Sequence, residues 1–314
     1  MTLTKPLLDW LLDSDPAIRW QVLRDLMDAP ADVVAVERAR VATEGWGARM
    51  LDDQGADGSW GGGAFVPRAW TCSSFTLGDL ASFGLDPTSE RARRAIGRVR
   101  GTTWGPQFAD SPFFEGEVEP CINGRLLASA AYFGEASDKL VERLLGEQLE
   151  DGGWNCEAPK SVRSSFHSTI AVLEGLLGYE RAKGAVPAVT EARRRGEEYL
   201  LERRMFRRRS TGEVVRPEWT QLAYPMRWHY DILWGLDYLR RAGVAPDARV
   251  AEAIELLATK RDAGGRWRLE TVYPGAVHVE MEAGVGQPSR WLTHRALRVL
   301  DWSRRERPRE HDPA

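Results

Sequence analysis

One register of the sequence contains residue types that bind metal ions. Five segments that each introduce an apolar helical pattern can be superposed, and one column then contains Cys72, Cys121, His167, His229 and Trp291. Thiolate sulfur and imidazole nitrogen are the protein ligands that zinc prefers. Because equivalent positions of a repeat face the same way, we expect these side chains to point towards a shared centre. The column therefore predicts a zinc site, and the structural alternative is buried cysteines and hydrogen-bonded histidines at helix ends.

The predicted zinc ligands are Cys121, His167 and His229, which lie in successive repeats. Ligands on successive helices converge only near a common axis, so we expect Cys72, one repeat earlier, to lie too far away. A zinc-bound cysteine is a thiolate, and a ligand position left open to substrate would be catalytic. Cys156, in the loop before His167, is a spare candidate.

The residues two positions further along each segment are short and polar. Such side chains are preferred helix N-caps, because they accept hydrogen bonds from the free N–H groups of the first turn. One interpretation is therefore structural. The alternative is chemical, with Asp231, or Glu119 two residues before Cys121, as the fourth zinc ligand or a general base. The column contains Ser74, Asn123, Thr169, Asp231 and Thr293.

Helical periodicity alternates with loops along most of the chain, and no part of it resembles a strand ladder. An N-terminal helix pair is predicted at residues 7–12 and 15–26. Each later unit has an outer helix followed by an inner helix. Outer helices are predicted at residues 31–51, 91–99, 137–149, 186–205 and 249–259, and inner helices at 70–83, 120–133, 165–179, 226–239 and 289–302.

Two loops share a spacing of glutamine, glycine and tryptophan. Gln54 to Trp60 is one copy, Gln148 to Trp154 is the second, and a degenerate copy ends at Trp267. The pattern resembles the QW motif of squalene and oxidosqualene cyclases and the glycine-rich repeats of protein prenyltransferase β subunits. The resemblance covers roughly residues 31–302. It implies an all-α fold, the α/α toroid, with about six helical hairpins in inner and outer rings. We predict one domain over residues 1–302, followed by a flexible tail over residues 303–314.

The resemblance also bears on the metal site. In protein prenyltransferase β subunits, zinc is held by an Asp-x-Cys element on one inner helix and a histidine on the next. Glu119-Pro120-Cys121 resembles the first element with glutamate for aspartate, and His167 falls one repeat later. The acidic DxDD motif of squalene cyclases and the DDxxD motif of class I synthases are both missing from the sequence, which argues against triterpene cyclisation.

Aromatic and basic residues near the inner helices predict a substrate cavity. An aromatic cup with a basic rim suits an isoprenoid or another apolar molecule with an anionic head. The predicted lining residues are Trp228, Tyr230, Tyr224, Arg163 and Arg227.

The composition of the chain excludes several classes of function and indicates a cellular compartment. The net charge is −3 with both signs mixed along the chain, which argues against a nucleic-acid surface. No apolar run is long enough to span a bilayer, and the N-terminus lacks the pattern of a signal peptide. Three cysteines are too few for a disulfide framework, so the expected compartment is the cytoplasm.

Together these features favour a metal-dependent enzyme that acts on an isoprenoid or other apolar substrate in a central cavity. The alternative is a non-catalytic toroid that binds a lipid or a partner protein. The Cys/His column separates the two hypotheses, because a protein that only binds its ligand has no need of it. The sequence does not indicate whether a second subunit is required.

Overall fold

The computed structural model describes residues 3–305, which are mainly α-helical. Single turns of 3-10 helix and long loops connect the helices. No helix of the described part is long and apolar enough to span a membrane. The helices are α1 Lys5–Leu12, α2 Pro16–Leu26, α3 Ala31–Ala39, α4 Gly45–Asp52, α5 Ser73–Phe83, α6 Glu90–Val99, α7 Pro120–Tyr132, α8 Asp138–Gly146, α9 Phe166–Lys183, α10 Pro187–Glu202, α11 Ile232–Ala242, α12 Ala251–Thr259 and α13 Arg290–Arg305.

The predicted elements need four corrections. The helix predicted at residues 31–51 is two helices, α3 and α4, separated by a 3-10 turn at Arg40–Ala42. The helix predicted at residues 226–239 begins only at Ile232, because the backbone of Asp231 is extended. A short antiparallel strand pair, β1 Trp267–Arg268 and β2 Pro288–Ser289, also occurs where the sequence predicted no strand. At the C-terminus, α13 continues to Arg305. Residues 306–314 of the predicted tail lie outside the described residues.

Six helices follow one another in a closed circuit of contacts. α5 contacts α7, α7 contacts α9, α9 contacts α11, and α11 contacts α13. The circuit returns through α2, which contacts α13 and binds the end of α5. There the Trp20 indole N–H donates to the Phe83 carbonyl at 2.7 Å. Helices α4, α8, α10 and α12 each contact a helix of this circuit, and α6 contacts α4.

The tryptophans of the repeated loops are anchored in the same way in three units. All three rings are fully buried. Each indole N–H donates to the carbonyl ten residues earlier, and each backbone N–H donates to a hydroxyl near the start of the following helix. For Trp60, Trp154 and Trp267 the carbonyls belong to Met50, Leu144 and Leu257, and the hydroxyls, each at 3.0 Å, to Ser73, Thr169 and Thr293.

The glutamines of the motif connect one unit to the next. The Gln54 amide donates to the carbonyl of Gly58 and to that of Ala95 in α6, each at 2.9 Å. Gln148 does the same for Gly152 and for Ala192 in α10, at 2.7 and 2.8 Å. These residues therefore form scaffold contacts between a loop and the next outer helix.

The second polar column does not cap the helices, with one exception. Asp231 is the N-cap of α11, and its carboxylate accepts from the Trp234 N–H. Ser74, Asn123, Thr169 and Thr293 lie inside their helices, which begin one to three residues before them. Two of the four, Thr169 and Thr293, bind a loop tryptophan instead.

Gly152 provides a test of this loop packing. Its φ is +95°, and a methyl group there would lie 2.6 Å from the Arg195 carbonyl oxygen. Gly134 has a similar φ of +81° with nothing within 4 Å. We expect Gly134→Ala to lower the free energy of unfolding by about 1–2 kcal/mol, the cost of a positive φ, and Gly152→Ala to cost clearly more. Urea unfolding measures both, and equal losses would contradict the packing described here.

Candidate functional site

Helices α7 and α9 approach each other closely at Gly124. A methyl group on Gly124 would lie 2.5 Å from the Ala171 carbonyl oxygen and from the Val172 Cα. Because glycine has no side chain, the two backbones can lie in direct contact here. The contact sets the first turns of both helices side by side, and these turns carry Cys121 and His167.

Asn123 fixes the chain that enters α7. Its Oδ1 accepts from the Glu117 N–H at 2.9 Å, and its Nδ2 donates to the Glu117 carbonyl at 3.0 Å. The Glu117 carboxylate accepts in turn from the N–H groups of Val118 and Glu119. These buried bonds hold Glu119 just ahead of Cys121.

Cys156 reaches the same place from a different unit. It lies two residues after the anchored Trp154, and its N–H donates to the Ser168 hydroxyl of α9 at 3.3 Å. Within the described residues, the Glu119 carboxylate and the sulfurs of Cys121 and Cys156 form a group whose ligand atoms lie within 4.8 Å of one another. The Cys121 thiol donates to Glu119 at 3.6 Å.

The two thiols differ in acidity because they lie next to each other. The neighbouring thiol of Cys156, together with burial, raises the pKa of Cys121. The same interaction lowers the pKa of Cys156, and the Ser168 hydroxyl lowers it further. Cys156 therefore loses its proton before Cys121.

A backbone hydrogen bond sets the orientation of the His167 ring. Its Nδ1 accepts from the Tyr230 N–H at 2.8 Å. Burial lowers the pKa of His167 to about 4, so the ring is neutral at pH 7. A neutral ring whose Nδ1 accepts carries its proton on Nε2. His167 is not part of the three-residue group.

His229 and Asp231 have packing and capping contacts instead. The His229 ring stacks between Trp228 and Tyr273, with centroid distances of 3.7 and 3.6 Å. Its centroid lies 6.1 Å from that of His167. Both oxygens of Asp231 accept backbone N–H groups, and burial raises its pKa to about 6. The structure therefore does not bring either residue into the group around Cys121.

A cavity of about 360 Å³ lies over the thiol pair and His167. Its wall is partly aromatic and partly polar. The lining residues are Phe65, Ser74, Phe75, Glu119, Cys121, Ile122, Arg125, Asn155, Cys156, Glu157, Ser165, His167, Ser168 and Trp228. We call it the thiol cavity.

Of the residues predicted to line a substrate cavity, Trp228 does so. Tyr224 is buried against Trp291 at a centroid distance of 4.7 Å, and the buried Tyr230 hydroxyl donates to the Met205 carbonyl. Arg227 is buried in an ion pair with Asp79 at 3.0 Å. Arg163 is exposed and does not line this cavity.

A second cavity of about 460 Å³ is lined by later turns of the same helices. Ser74 and Arg125 line both cavities. We call this second cavity the inner cavity. The rest of its wall contains small residues such as Gly78 and Ala128, and charged residues such as Arg295. Sequence reasoning missed Arg125, although its position four residues after Cys121 places both on one helix face.

Comparisons with known proteins give structural matches only. No protein-family model and no curated protein matches the chain. The chain is similar to the type II terpene cyclase MstE from Scytonema in its apo form, with 18% identity, a TM-score of 0.46, and coverage of 91% of this chain and 86% of that chain. A variant of MstE in complex with geranylgeranyl dihydroxybenzoate matches with 19% identity, a TM-score of 0.46, and coverage of 92% and 86%.

The bond between His167 and Tyr230 can be tested by two substitutions. His167→Asn keeps an oxygen that can accept the Tyr230 N–H, whereas His167→Ala leaves this N–H unsatisfied. We expect the alanine variant to be less stable than the asparagine variant by about 1–3 kcal/mol at pH 7. Urea unfolding measures the difference, and equal stabilities would contradict the bond.

The wild-type protein should also respond to acid through His167. Its folded pKa of about 4 lies below the unfolded value of about 6.5, so the unfolded state binds more protons between these values. The stability that neutral His167 contributes is present above pH 6.5 and is lost as the pH falls to 4. His167→Asn lacks this contribution and should lose less stability over that range. Identical pH profiles would contradict the lowered pKa.

Proposed function

We propose that this protein is an enzyme with an α/α-toroid fold that acts on an isoprenoid or another apolar small molecule in the thiol cavity. The observation that carries the proposal is the position of Glu119, Cys121 and Cys156, three metal-ligand side chains from two repeats, on the wall of a partly aromatic cavity. Aromatic and aliphatic walls with a few convergent polar groups are typical of small-molecule sites.

The closed circuit of helices supports the toroid. Six helices contact one another in turn and return to the first, while six others contact them and one, α6, contacts α4. Circuit helices line part of both cavities. First turns of these helices line the thiol cavity together with loop residues such as Phe65, Asn155 and Trp228, and mainly later turns line the inner cavity. A channel along the axis of the ring would join the two.

The residues present fit a zinc ion. Two thiolates and a carboxylate are ligands that zinc accepts. Ligand atoms around tetrahedral zinc lie roughly 3.8 Å apart for zinc–sulfur bonds of about 2.3 Å, so a group within 4.8 Å needs only small side-chain rotations. Three protein ligands leave a fourth position facing the cavity. Bound zinc would keep the thiolates deprotonated and supply a Lewis acid there.

This ligand set revises the one predicted from sequence. Cys121 and Glu119 remain, while Cys156 replaces the histidines. His167 would need a free lone pair on Nε2, but its Nδ1 bond to Tyr230 leaves the proton on that atom. We propose that His167 instead donates a hydrogen bond from Nε2 to an oxygen atom of the bound molecule. Glu119 serves as the third zinc ligand or, when its carboxylate does not bind the ion, as a general base.

The zinc site can be tested by metal analysis. We expect the wild-type protein, loaded with zinc and dialysed, to retain about one ion per chain. Cys121→Ser and Cys156→Ser should each weaken binding by at least about tenfold, because either removes a thiolate ligand. Cys72→Ala is the matched control, since Cys72 is buried outside the group.

Two results would overturn the zinc site. One is a wild-type protein that retains no zinc after dialysis. The other is a Cys72→Ala variant that loses zinc as completely as Cys121→Ser. If zinc is absent but the apolar molecule still binds, the non-catalytic lipid-binding toroid becomes the better account.

A further inference from the structure

Arg125 is a cation without a partner between the two cavities. Its guanidinium lies over the Phe75 ring, 4.8 Å from the centroid. Among the described residues, it has no hydrogen bond and no ion pair. Burial lowers its pKa to about 10, so the group stays charged at neutral pH.

The nearby carboxylate of Asp79 does not neutralise Arg125. Asp79 attracts Arg125, but it forms its ion pair with Arg227, at 3.0 Å. The charge of Arg227 in turn opposes that of Arg125. The balance of charge around Arg125 therefore remains positive.

Arg295 is a second such cation, on the wall of the inner cavity. Its guanidinium lies 5.0 Å from the ring centroid of Tyr224 and 5.9 Å from that of Trp291. It also has no hydrogen bond or ion pair within residues 3–305. Two other arginines of this wall form ion pairs, Arg298 with Asp25 at 3.0 Å and Arg241 with Glu174 and Asp237.

A half-buried guanidinium without a carboxylate partner loses part of its hydration, which stacking on an aromatic ring offsets only in part. The two carboxylates of this wall are shared among several arginines, and Asp237 attracts Arg295 as well. Glu174 and Asp237 are both bound to Arg241, and Asp237 to Arg240 as well. An anion from outside the chain would complete the site.

We propose that Arg125 and Arg295 form an anion subsite in the inner cavity, and that the bound molecule carries a carboxylate or phosphate group that points inward to them. This inference rests on the proposed function, in which the apolar part of the molecule lies beside Phe65, Phe75 and Trp228 in the thiol cavity. Arg125 follows Cys121 by one helical turn, about 6 Å along the axis of α7. The anionic group thus lies deep in the ring, inward of the thiol pair.

Three matched probes separate the subsite from the cavity. Farnesol is neutral, farnesoate carries a carboxylate, and farnesyl monophosphate carries a phosphate. Isothermal titration should show that the wild-type protein binds at least one anionic probe at least tenfold more tightly than farnesol. A gain for farnesoate alone indicates a carboxylate site, a gain for the phosphate alone indicates a phosphate site, and a gain for both indicates a general oxyanion site.

The two arginines should account for the gain. We expect Arg125→Gln and Arg295→Gln to weaken the favoured anionic probe about 10- to 100-fold, because a charge-assisted bond is lost. Farnesol binding should change less than about twofold. Arg94→Gln is the control, since Arg94 is exposed and pairs with Glu90 on the surface; it should change neither affinity.

The outcomes distinguish the two proposals. The anion subsite is overturned if farnesol binds as tightly as the anionic probes. It is also overturned if the higher affinity for the anionic probe survives both substitutions. In either case the apolar cavity stands. If none of the three probes binds, the proposed function and the subsite both fail.

Stability without ligand gives an independent readout. Arg125→Met removes the unneutralised charge and keeps an apolar side chain over Phe75, so its thermal midpoint should be equal to or higher than that of the wild-type protein. A midpoint several degrees below that of the wild-type protein would mean that residues of the chain already stabilise the charge of Arg125. That result would contradict the subsite.

Discussion

The hydrogen bond from the Trp154 N–H to the Thr169 hydroxyl holds the loop that carries Cys156 against α9. Both partners are fully buried, so breaking the bond would leave an unsatisfied donor in the core. The same bond recurs at Trp60 and Trp267. In the unit without such a tryptophan, Asn123 makes the corresponding contact through Glu117 and fixes Glu119 and Cys121. The candidate site exists because two anchored loops meet where α7 and α9 touch.

Several ionisable side chains lie close together at the candidate site. Two thiols and a carboxylate lie within 4.8 Å of one another, an arrangement that disfavours more than one negative charge among them. Arg125, one turn along α7, attracts negative charge at Cys121. This cation favours the thiolate that a metal ligand needs. A metal ion at the thiols and an oxyanion at the arginines would each satisfy charges that the chain leaves open.

Much of the architecture could be predicted from the sequence, because it follows from local patterns. Helical periodicity located nearly all the helices, and the Gln–Gly–Trp spacing identified the contacts between units. Predictions that depended on side-chain direction did less well. Tyr224 and Tyr230 are aromatic, as the residues of a cavity wall often are, but both lie in the buried core. Aromatic character alone does not determine which way a ring points.

Predictions about the candidate site divide in the same way. Glu119 and Cys121 can be proposed from the sequence because their spacing is local. Cys156 is only a spare candidate at that level, since its approach to Cys121 depends on the packing of a loop against the neighbouring helix. The hydrogen bond of His167 involves a backbone N–H 63 residues later in the chain, at Tyr230, which no sequence pattern reports. The sequence does not single out Arg125, because its lack of an ion pair within the described residues depends on how the helices pack.

The central claim is that Glu119, Cys121 and Cys156 share one metal ion. Anomalous diffraction at the zinc edge from crystals of zinc-loaded protein tests it most directly. The account predicts one strong peak about 2.3 Å from the sulfurs of both Cys121 and Cys156, with Glu119 as third ligand and His167 outside bonding distance. A peak held by His167 and His229, or no peak near Cys121, would contradict it.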